Sequence, residues 1–530
     1  MAGGTWIDQN KVRPGVYINY KSAPASLATM GERGTVTIAR RLNWGEKEKF
    51  YVINDVSDTE QLGYSITAPE MLFLRQILLG TNRTNGAKKV YVWSLKEKTG
   101  SAVAATGSVG DLTITAVNAG SDGNNISVSV VADDTNWVVT TKYKDATVNS
   151  QTVAALSALV ANDYVQFGGS GSLSAGTATL SGGVSVSSVA SATVGNLIAT
   201  ANYAGTYGNR LKIVVIANDD STFDVQTLLD NQVSDNQNVS AISGLVANDY
   251  VSFSGTGALA ANAGVQLSGG SDGDVDSTGY QNFRDACTQI KFDIMIYDGS
   301  DASEKSNFAT FVKSQSNDEG NKCQLVVSNY PSADNECVIS VYPQSLTLID
   351  GTVLSAEEVT WWIGGASSGA NVYESLTYAA HPDAASVSPK LSSRQQEAAI
   401  NAGQLAFIEQ FEKVQVLTDI NSFKTFSVNK GKAFRKNRVV RTVFGLCNDI
   451  YRTFALYYIG AVHNDDEGRK ALKAEILDLM NKYQGNRALQ NVAADDVNVE
   501  RGVDIDSVVI EIFCQPVDSI EKIYINITIS

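Results

Sequence analysis

The sequence predicts an α/β protein of several domains (α+β overall). It comprises an α/β layered domain, two tandem β-rich modules inserted into it, and a C-terminal α+β core with strand arms at both ends. Three observations carry this. Short apolar strands alternate with helical stretches on both sides of residues 104–275, an internal repeat fills that interval, and the terminal segments alternate apolar and polar residues.

Length and composition set the frame. At 530 residues the chain exceeds one ordinary core, and it is 43% hydrophobic and 18% charged. The 44 glycines and the low charge favour β structure with tight turns. A net charge of -15 argues against a nucleic-acid coat, because phosphate binding requires a basic surface. The five cysteines are scattered without CxxC spacing and read as reduced, mostly buried thiols. The opening residues show no signal-peptide pattern, and no apolar run reaches the length of a membrane span.

Residues 1–30 read as an arm, with Pro14-Gly15 punctuating a short strand at Val16, Tyr17 and Ile18. Residues 31–103 form the first part of the α/β domain: a strand at Thr35–Ala39, a helix over Ala68–Leu79 with Pro69 near its first turn, and a strand at Val90–Trp93. The repeat follows. Leu156-Ser-Ala-Leu-Val-Ala-Asn-Asp-Tyr-Val-Gln-Phe167 matches Ile242-Ser-Gly-Leu-Val-Ala-Asn-Asp-Tyr-Val-Ser-Phe253, and Ala119-Gly-Ser-Asp-Gly-Asn matches Ala204-Gly-Thr-Tyr-Gly-Asn. The period of about 86 residues is that of a small domain, giving β-rich modules at 104–190 and 191–275.

The α/β alternation resumes over 276–380. Helices are expected at Ser277–Gln289 (with Ser277 as cap), Ala302–Ser314 and Ala356–Gly365, with strands at Phe292–Tyr297, Gln324–Ser328 and Val338–Tyr342. Tyr378–Ser393 reads as a linker. The C-terminal core, 381–515, carries a helix near Arg394–Ala402, strands at Leu405–Glu409 and Val414–Thr418, and a long helical run from Ala433 to about Ala461. A helix at Glu467–Lys482 and strands at Asp496–Glu500 and Ser507–Cys514 follow. An arm, 516–530, closes with Ile523, Ile525, Ile527 and Ile529 alternating with Tyr524, Asn526 and Thr528, the period of a half-buried strand.

No catalytic constellation emerges. The two histidines, His381 and His463, read as loop residues without metal-ligand spacing. GxSxG occurs at Gly269–Gly273 and Gly365–Gly369, but neither has the strand-then-helix context of a nucleophile elbow. There is no phosphate-binding P-loop, and acidic pairs such as Asp219-Asp220 and Asp465-Asp466 read as solvated. No catalytic residue, metal or cofactor is expected. One segment stands out: Lys424 to Arg441 carries seven Lys/Arg and no acid. A basic helix start opposes the helix dipole, so a partner or solvent must compensate. Lys430, Lys432, Arg435, Lys436, Arg438 and Arg441 are the candidate docking contacts, while the sparse aromatics (Phe426, Phe434) disfavour nucleic acid.

Three blocks resemble the contractile tail sheath proteins of bacteriophages and phage-tail-like particles, in the style of Gram-positive phages and defective prophages. They are Gln9-Asn-Lys-Val-Arg-Pro-Gly-Val-Tyr-Ile-Asn19, the repeat pattern above, and a C-terminal block with Asn437-Arg-Val-Val-Arg-Thr-Val443, Tyr457-Tyr-Ile-Gly-Ala-Val-His-Asn464 and Pro516-Val-Asp-Ser-Ile-Glu-Lys-Ile-Tyr524. The resemblance implies a non-enzymatic virion tail subunit assembled in the host cytoplasm. It implies stacked hexameric rings of the chain around a tail tube protein, with baseplate and tail terminator proteins at the ends, and no nucleic acid or membrane insertion. It also implies terminal arms that add strands to neighbouring copies (Val16, Tyr17, Ile18 and Ile523, Ile525, Ile527), and a tube-facing or intersubunit role for the basic run. The chain carries two β modules where related proteins are expected to carry one. A surface adhesin with tandem β domains and a phage-tail-like bacteriocin sheath are the competing readings; the adhesin predicts a secretion signal, which the opening residues lack.

Overall fold

The structure is a computed structural model that describes residues 3–4, 16–17 and 29–529. Its centre is a seven-stranded sheet. The strands are β1 (Thr35–Arg40), β2 (Phe50–Ile53), β3 (Lys89–Ser94), β4 (Ile294–Tyr297), β5 (Gln324–Ser328), β6 (Val338–Val341) and β7 (Gln404–Leu405), in the order β7-β6-β5-β4-β1-β3-β2. Neighbours are parallel except β2, which runs antiparallel to β3. β4, β5 and β6 are buried along their whole length, which is why their sequences are near-continuous apolar runs.

Helices cover both faces. α1 (Leu72–Leu79) and α4 (Val359–Gly369) pack on one side, α2 (Gly279–Cys287) and α3 (Ala302–Asn317) on the other. α1 and α4 cross closely: a Cβ at Gly365 would lie 1.9 Å from the Ile77 carbonyl oxygen, so glycine is required there. The Trp362 indole N–H donates to the Gly80 carbonyl at 2.6 Å, satisfying its polar atom in the buried layer. Asp301 caps α3 by accepting from the Glu304 N–H at 2.8 Å. Ser277 does not cap α2, because the helix starts two residues later, at Gly279.

Between β3 and α2 the chain folds into two antiparallel sandwiches. In the first, Thr106–Val109, Leu112–Ala116 and Val165–Gly168 face a four-stranded sheet of Ile126–Asp133, Asn136–Tyr143, Ala146–Val153 and Gly176–Thr179. The second repeats this plan over Val189–Val194, Leu197–Ala204 and Val251–Ser254 against Leu211–Ala217, Phe223–Leu229, Gln232–Val239 and Asn262–Gln266. In each, Asn of the shared Ala-Asn-Asp-Tyr-Val loop orders the turn. Asn162 Oδ1 accepts from the Tyr164 and Val165 N–H groups, and Asn248 Oδ1 from those of Tyr250 and Val251.

The segment expected to be a linker is part of the fold. Ala384–Ser388 pairs with Ser345–Leu348, and His381 is 3% exposed, its ring tilted against that of Trp362 with centroids 4.6 Å apart and its Nε2 2.8 Å from Gln76 Oε1. Burial holds its pKa down, to about 4. A proline-flanked polar stretch looks like a connector in sequence; here it supplies a sheet edge and a buried imidazole. Ser367, read as following a helix, lies inside α4 and is fully buried.

The C-terminal core is built on α6 (Asn437–Tyr457) and α7 (Asp466–Gly485), with α5 (Ser393–Ala402) upstream. A short 3-10 turn, Lys432–Arg435, precedes α6, so the helical run divides at Lys436. A hairpin of β8 (Val497–Arg501) and β9 (Val508–Ile512) closes the core, with Val497, Ile510 and Ile512 packing against Ile476, Leu479, Met480 and Tyr483.

Candidate assembly surface

The chain entering the core at Gly31 is rooted by core carboxylates. At the N-terminal side, the Gly31 N–H donates to Asp449 Oδ1 at 2.8 Å, and Asp449 also accepts from the Tyr483 hydroxyl at 2.8 Å. Burial raises the Asp449 pKa, against these donors, which favour the charged form. The Gly34 and Thr35 N–H groups donate to Asp293 Oδ2 at 2.9 and 3.0 Å, and Arg33 pairs with the same carboxylate at 3.2 Å. Upstream, Gly3–Gly4 pairs in parallel with Val16–Tyr17; Ile18 lies outside the described residues.

The C-terminal arm stands apart from the core. Residues 520–529 form no strand within the chain. Ile523, Ile525, Ile527 and Ile529 are 75%, 75%, 83% and 92% exposed, and the intervening Tyr524 is 90% exposed. The alternation is that of a strand, but a strand needs a neighbour to take its N–H and C=O groups, and none of the described residues supplies one there. An unpartnered row of isoleucines is also the kind of exposed apolar surface that marks an interaction site.

A complementary feature lies on the core. β8 and β9 make a two-stranded sheet, and among the described residues the outer edge of β9 has no strand partner. Beside it is a cavity of about 300 Å³ lined by Phe454, Tyr458, Ile459, Leu472, Val508 and Ile510. A free edge flanked by apolar walls can accept an added strand whose alternate side chains face the groove.

The basic run is mostly committed within the chain. Arg441 is 1% exposed; it donates to the Glu374 carbonyl at 2.7 Å and lies 3.5 Å from Asp419, itself buried. Asp419 also accepts from Asn437 Nδ2 at 2.8 Å and from the Leu376 N–H at 3.0 Å. Arg441 is therefore a core residue, and its placement on an outward surface is corrected. Arg435 is corrected for the same reason: at 8% exposure it faces inward, and burial presses its pKa down. Lys430 pairs with Glu336, and Lys436 with Glu521. Arg438 is half-buried. Lys432 is exposed. Spacing could not separate these residues, because the acids that answer them lie 22 to 94 residues away in sequence.

Family models agree with this architecture along most of the chain. Residues 98–185 and 186–272 each match the phage tail sheath protein beta-sandwich domain, residues 273–422 the phage tail sheath protein central domain, and residues 429–530 the phage tail sheath C-terminal domain. The crystal structure of a sheath tail protein from Desulfitobacterium hafniense is 34% identical, covers 96% of this chain and 99% of its own, and superposes with a TM-score of 0.71. The sheath tail protein of Listeria innocua is 26% identical with a TM-score of 0.65, covering 94% of this chain and 95% of its own. The phage-like element PBSX protein XkdK of Bacillus subtilis (strain 168) is 28% identical over the full length of both chains. The chain belongs to the phage tail sheath family.

Proposed function

We propose that this chain is the structural subunit of a contractile sheath, polymerising helically around a tail tube and shortening to drive the tube through an envelope. Membership of a family of virion tail components supports the coarse reading. The observation that carries the finer one is the pairing of an unpartnered, strand-patterned arm with an unpartnered sheet edge on the same molecule. Within the described chain neither member of this pair satisfies the other. Donated from copy to copy it is a heterologous contact, and heterologous contacts that do not close build helices.

In this reading Ile523, Ile525 and Ile527 of one copy lie along β9 of the next, while Val16, Tyr17 and Ile18 belong to a second arm. Strand addition holds neighbours together through backbone hydrogen bonds, leaving the rigid cores free to rotate between two packings. The work of contraction is the free-energy difference between those packings, with no catalytic step. The partners are other copies, a tube protein, and baseplate and terminator proteins at the ends. Of the basic run, exposed Lys432 is the residue we assign to the tube or to a neighbour.

Negative-stain microscopy of the purified full chain tests the proposal. Striated hollow tubes are expected. A monodisperse monomer at every concentration would sink it.

A further inference from the structure

A cluster of cations without an acid among them has to be answered from elsewhere in the fold. Asp419 answers Arg441, and Glu336 answers Lys430. The remaining answer comes from the tail. Glu521 forms an ion pair with Lys436 and accepts from the Thr377 hydroxyl at 2.8 Å and the Thr418 hydroxyl at 3.3 Å. The Lys436 and Glu521 side chains are 26% and 17% exposed, so this contact is largely shielded from water, where a charge-assisted hydrogen bond is stronger. Asp518 adds negative charge beside Arg438.

Glu521 is also a boundary. Before it, the tail is tied by its backbone: the Gln490 N–H donates to the Gln515 carbonyl at 3.0 Å and the Val517 N–H to the Ala488 carbonyl at 2.9 Å. After it, every residue from 522 to 529 is exposed. The clasp reaches into the core as well. The Thr377 hydroxyl that donates to Glu521 accepts from the Asp419 N–H at 2.9 Å, and Asp419 is the centre of the buried Asn437–Arg441 network.

We infer that Glu521, held by Lys436, Thr377 and Thr418, is the anchor that sets the point and register from which the arm enters a second copy. This inference rests on the strand-donation reading above. Register is the physical reason an anchor matters. A slip of one residue along an acceptor strand turns Ile523, Ile525 and Ile527 to the wrong face. A fixed root removes such slips before the arm meets its acceptor, and it reduces the conformational freedom lost on docking. Lys436 and Glu521 are positioning residues: they touch each other, and the isoleucines touch the neighbour.

The experiment compares full-length chains by sedimentation and negative-stain microscopy, with far-UV circular dichroism and melting to confirm folding. Glu521→Lys and Lys436→Glu each reverse one charge, and the double variant restores the pair with its polarity exchanged. A chain lacking residues 522–530 tests the arm itself. Each single reversal is expected to fold and to need about tenfold more protein to polymerise, the effect of losing one well-shielded charged contact. The exchanged pair is expected to recover most of that loss, which a general structural role for either residue would not produce. Glu521→Gln keeps shape without charge, and is expected to show the same deficit should a reversal fail to fold. Wild-type polymerisation of Glu521→Lys or Glu521→Gln, with no polymer from the truncated chain, overturns the clasp and leaves strand donation standing. Polymer from the truncated chain overturns strand donation too. Folded single variants that the exchange does not rescue also overturn the pairing.

Discussion

The two β-sandwiches have one fold and two different relations to the rest of the molecule. The second shares its core with the α/β domain: Ala199, Leu211, Ile213 and Val251 belong to the same apolar cluster as Ile38, Leu74 and Trp362. The first has a cluster of its own, around Leu112, Ile114, Val128 and Val165. The difference lies in a few side chains at equivalent positions. In the second module Tyr203, Tyr207 and Tyr250 surround Trp44, with ring centroids 5.1, 4.6 and 6.4 Å away, and Arg210 lies over Tyr64 at 4.9 Å. The corresponding residues of the first module are Asn118, Asp122, Tyr164 and Asn125. There Asp122 accepts from the Tyr143 hydroxyl of its own module at 2.8 Å. Duplication of a module thus copies the fold without copying the attachment, because attachment depends on aromatic burial at a handful of surface positions.

The neck shows how a second copy can be accommodated. Lys98 and Ser185, on either side of the first module, both bond to Asp274, and the Ser187 N–H donates to the Lys98 carbonyl at 2.9 Å. The module therefore enters and leaves at one place, as an insertion must if the surrounding sheet is to stay intact.

The largest effect belongs to the docking aromatics. Tyr207→Ala should destabilise the shared unit by about 3–5 kcal/mol, while Asp122→Ala should change stability by less than about 0.5 kcal/mol, both read from chemical denaturation. Acid comes next. The unfolded chain protonates His381 near pH 6.5 and the folded chain only near pH 4, so the folded state binds fewer protons across that window. Stability is full above about pH 6.5 and falls as pH drops towards 4, by about 3 kcal/mol at the limit. Calorimetry should show the shared unit losing melting temperature as pH falls while the first module, which holds no histidine, keeps its own on this account.

The third outcome concerns the shared loop. Asn162→Ala and Asn248→Ala each strip an acceptor from two backbone N–H groups, at a cost of about 1–3 kcal/mol. The losses should appear in different melting transitions, the first in the free module and the second in the shared unit. Coincident loss in one transition would show that the cores are coupled after all. The smallest effect is expected from removing residues 99–184. Joining Lys98 to Ser185 turns the existing Ser187-to-Lys98 hydrogen bond into that of a four-residue turn. The shortened chain should melt within a few degrees of the shared unit in the intact protein.

Much of this architecture was legible in residue order. The buried parallel strands were visible as apolar runs, and the duplication as a literal repeat of Val-Ala-Asn-Asp-Tyr-Val. The identity of the docked module was half visible: Tyr207 against Asp122 is a plain difference in the aligned repeats, but its meaning depends on Trp44, 163 residues upstream of Tyr207. The basic run misled for the same reason. Its charges are adjacent in sequence, whereas Asp419, Glu336 and Glu521 reach them only through the fold. His381 looked like a loop residue because His-Pro punctuates a connector, and nothing nearby announces Trp362 or Gln76.

Short-range periodicity settles which segments are strands or helices, which face is apolar, and that the Ile523–Ile529 segment is patterned to pair. Which charges are answered internally, which module is docked, and that the arm finds no partner among the described residues emerge from the fold. Those outcomes depend on contacts between distant segments, where burial and desolvation, rather than local propensity, set the energy.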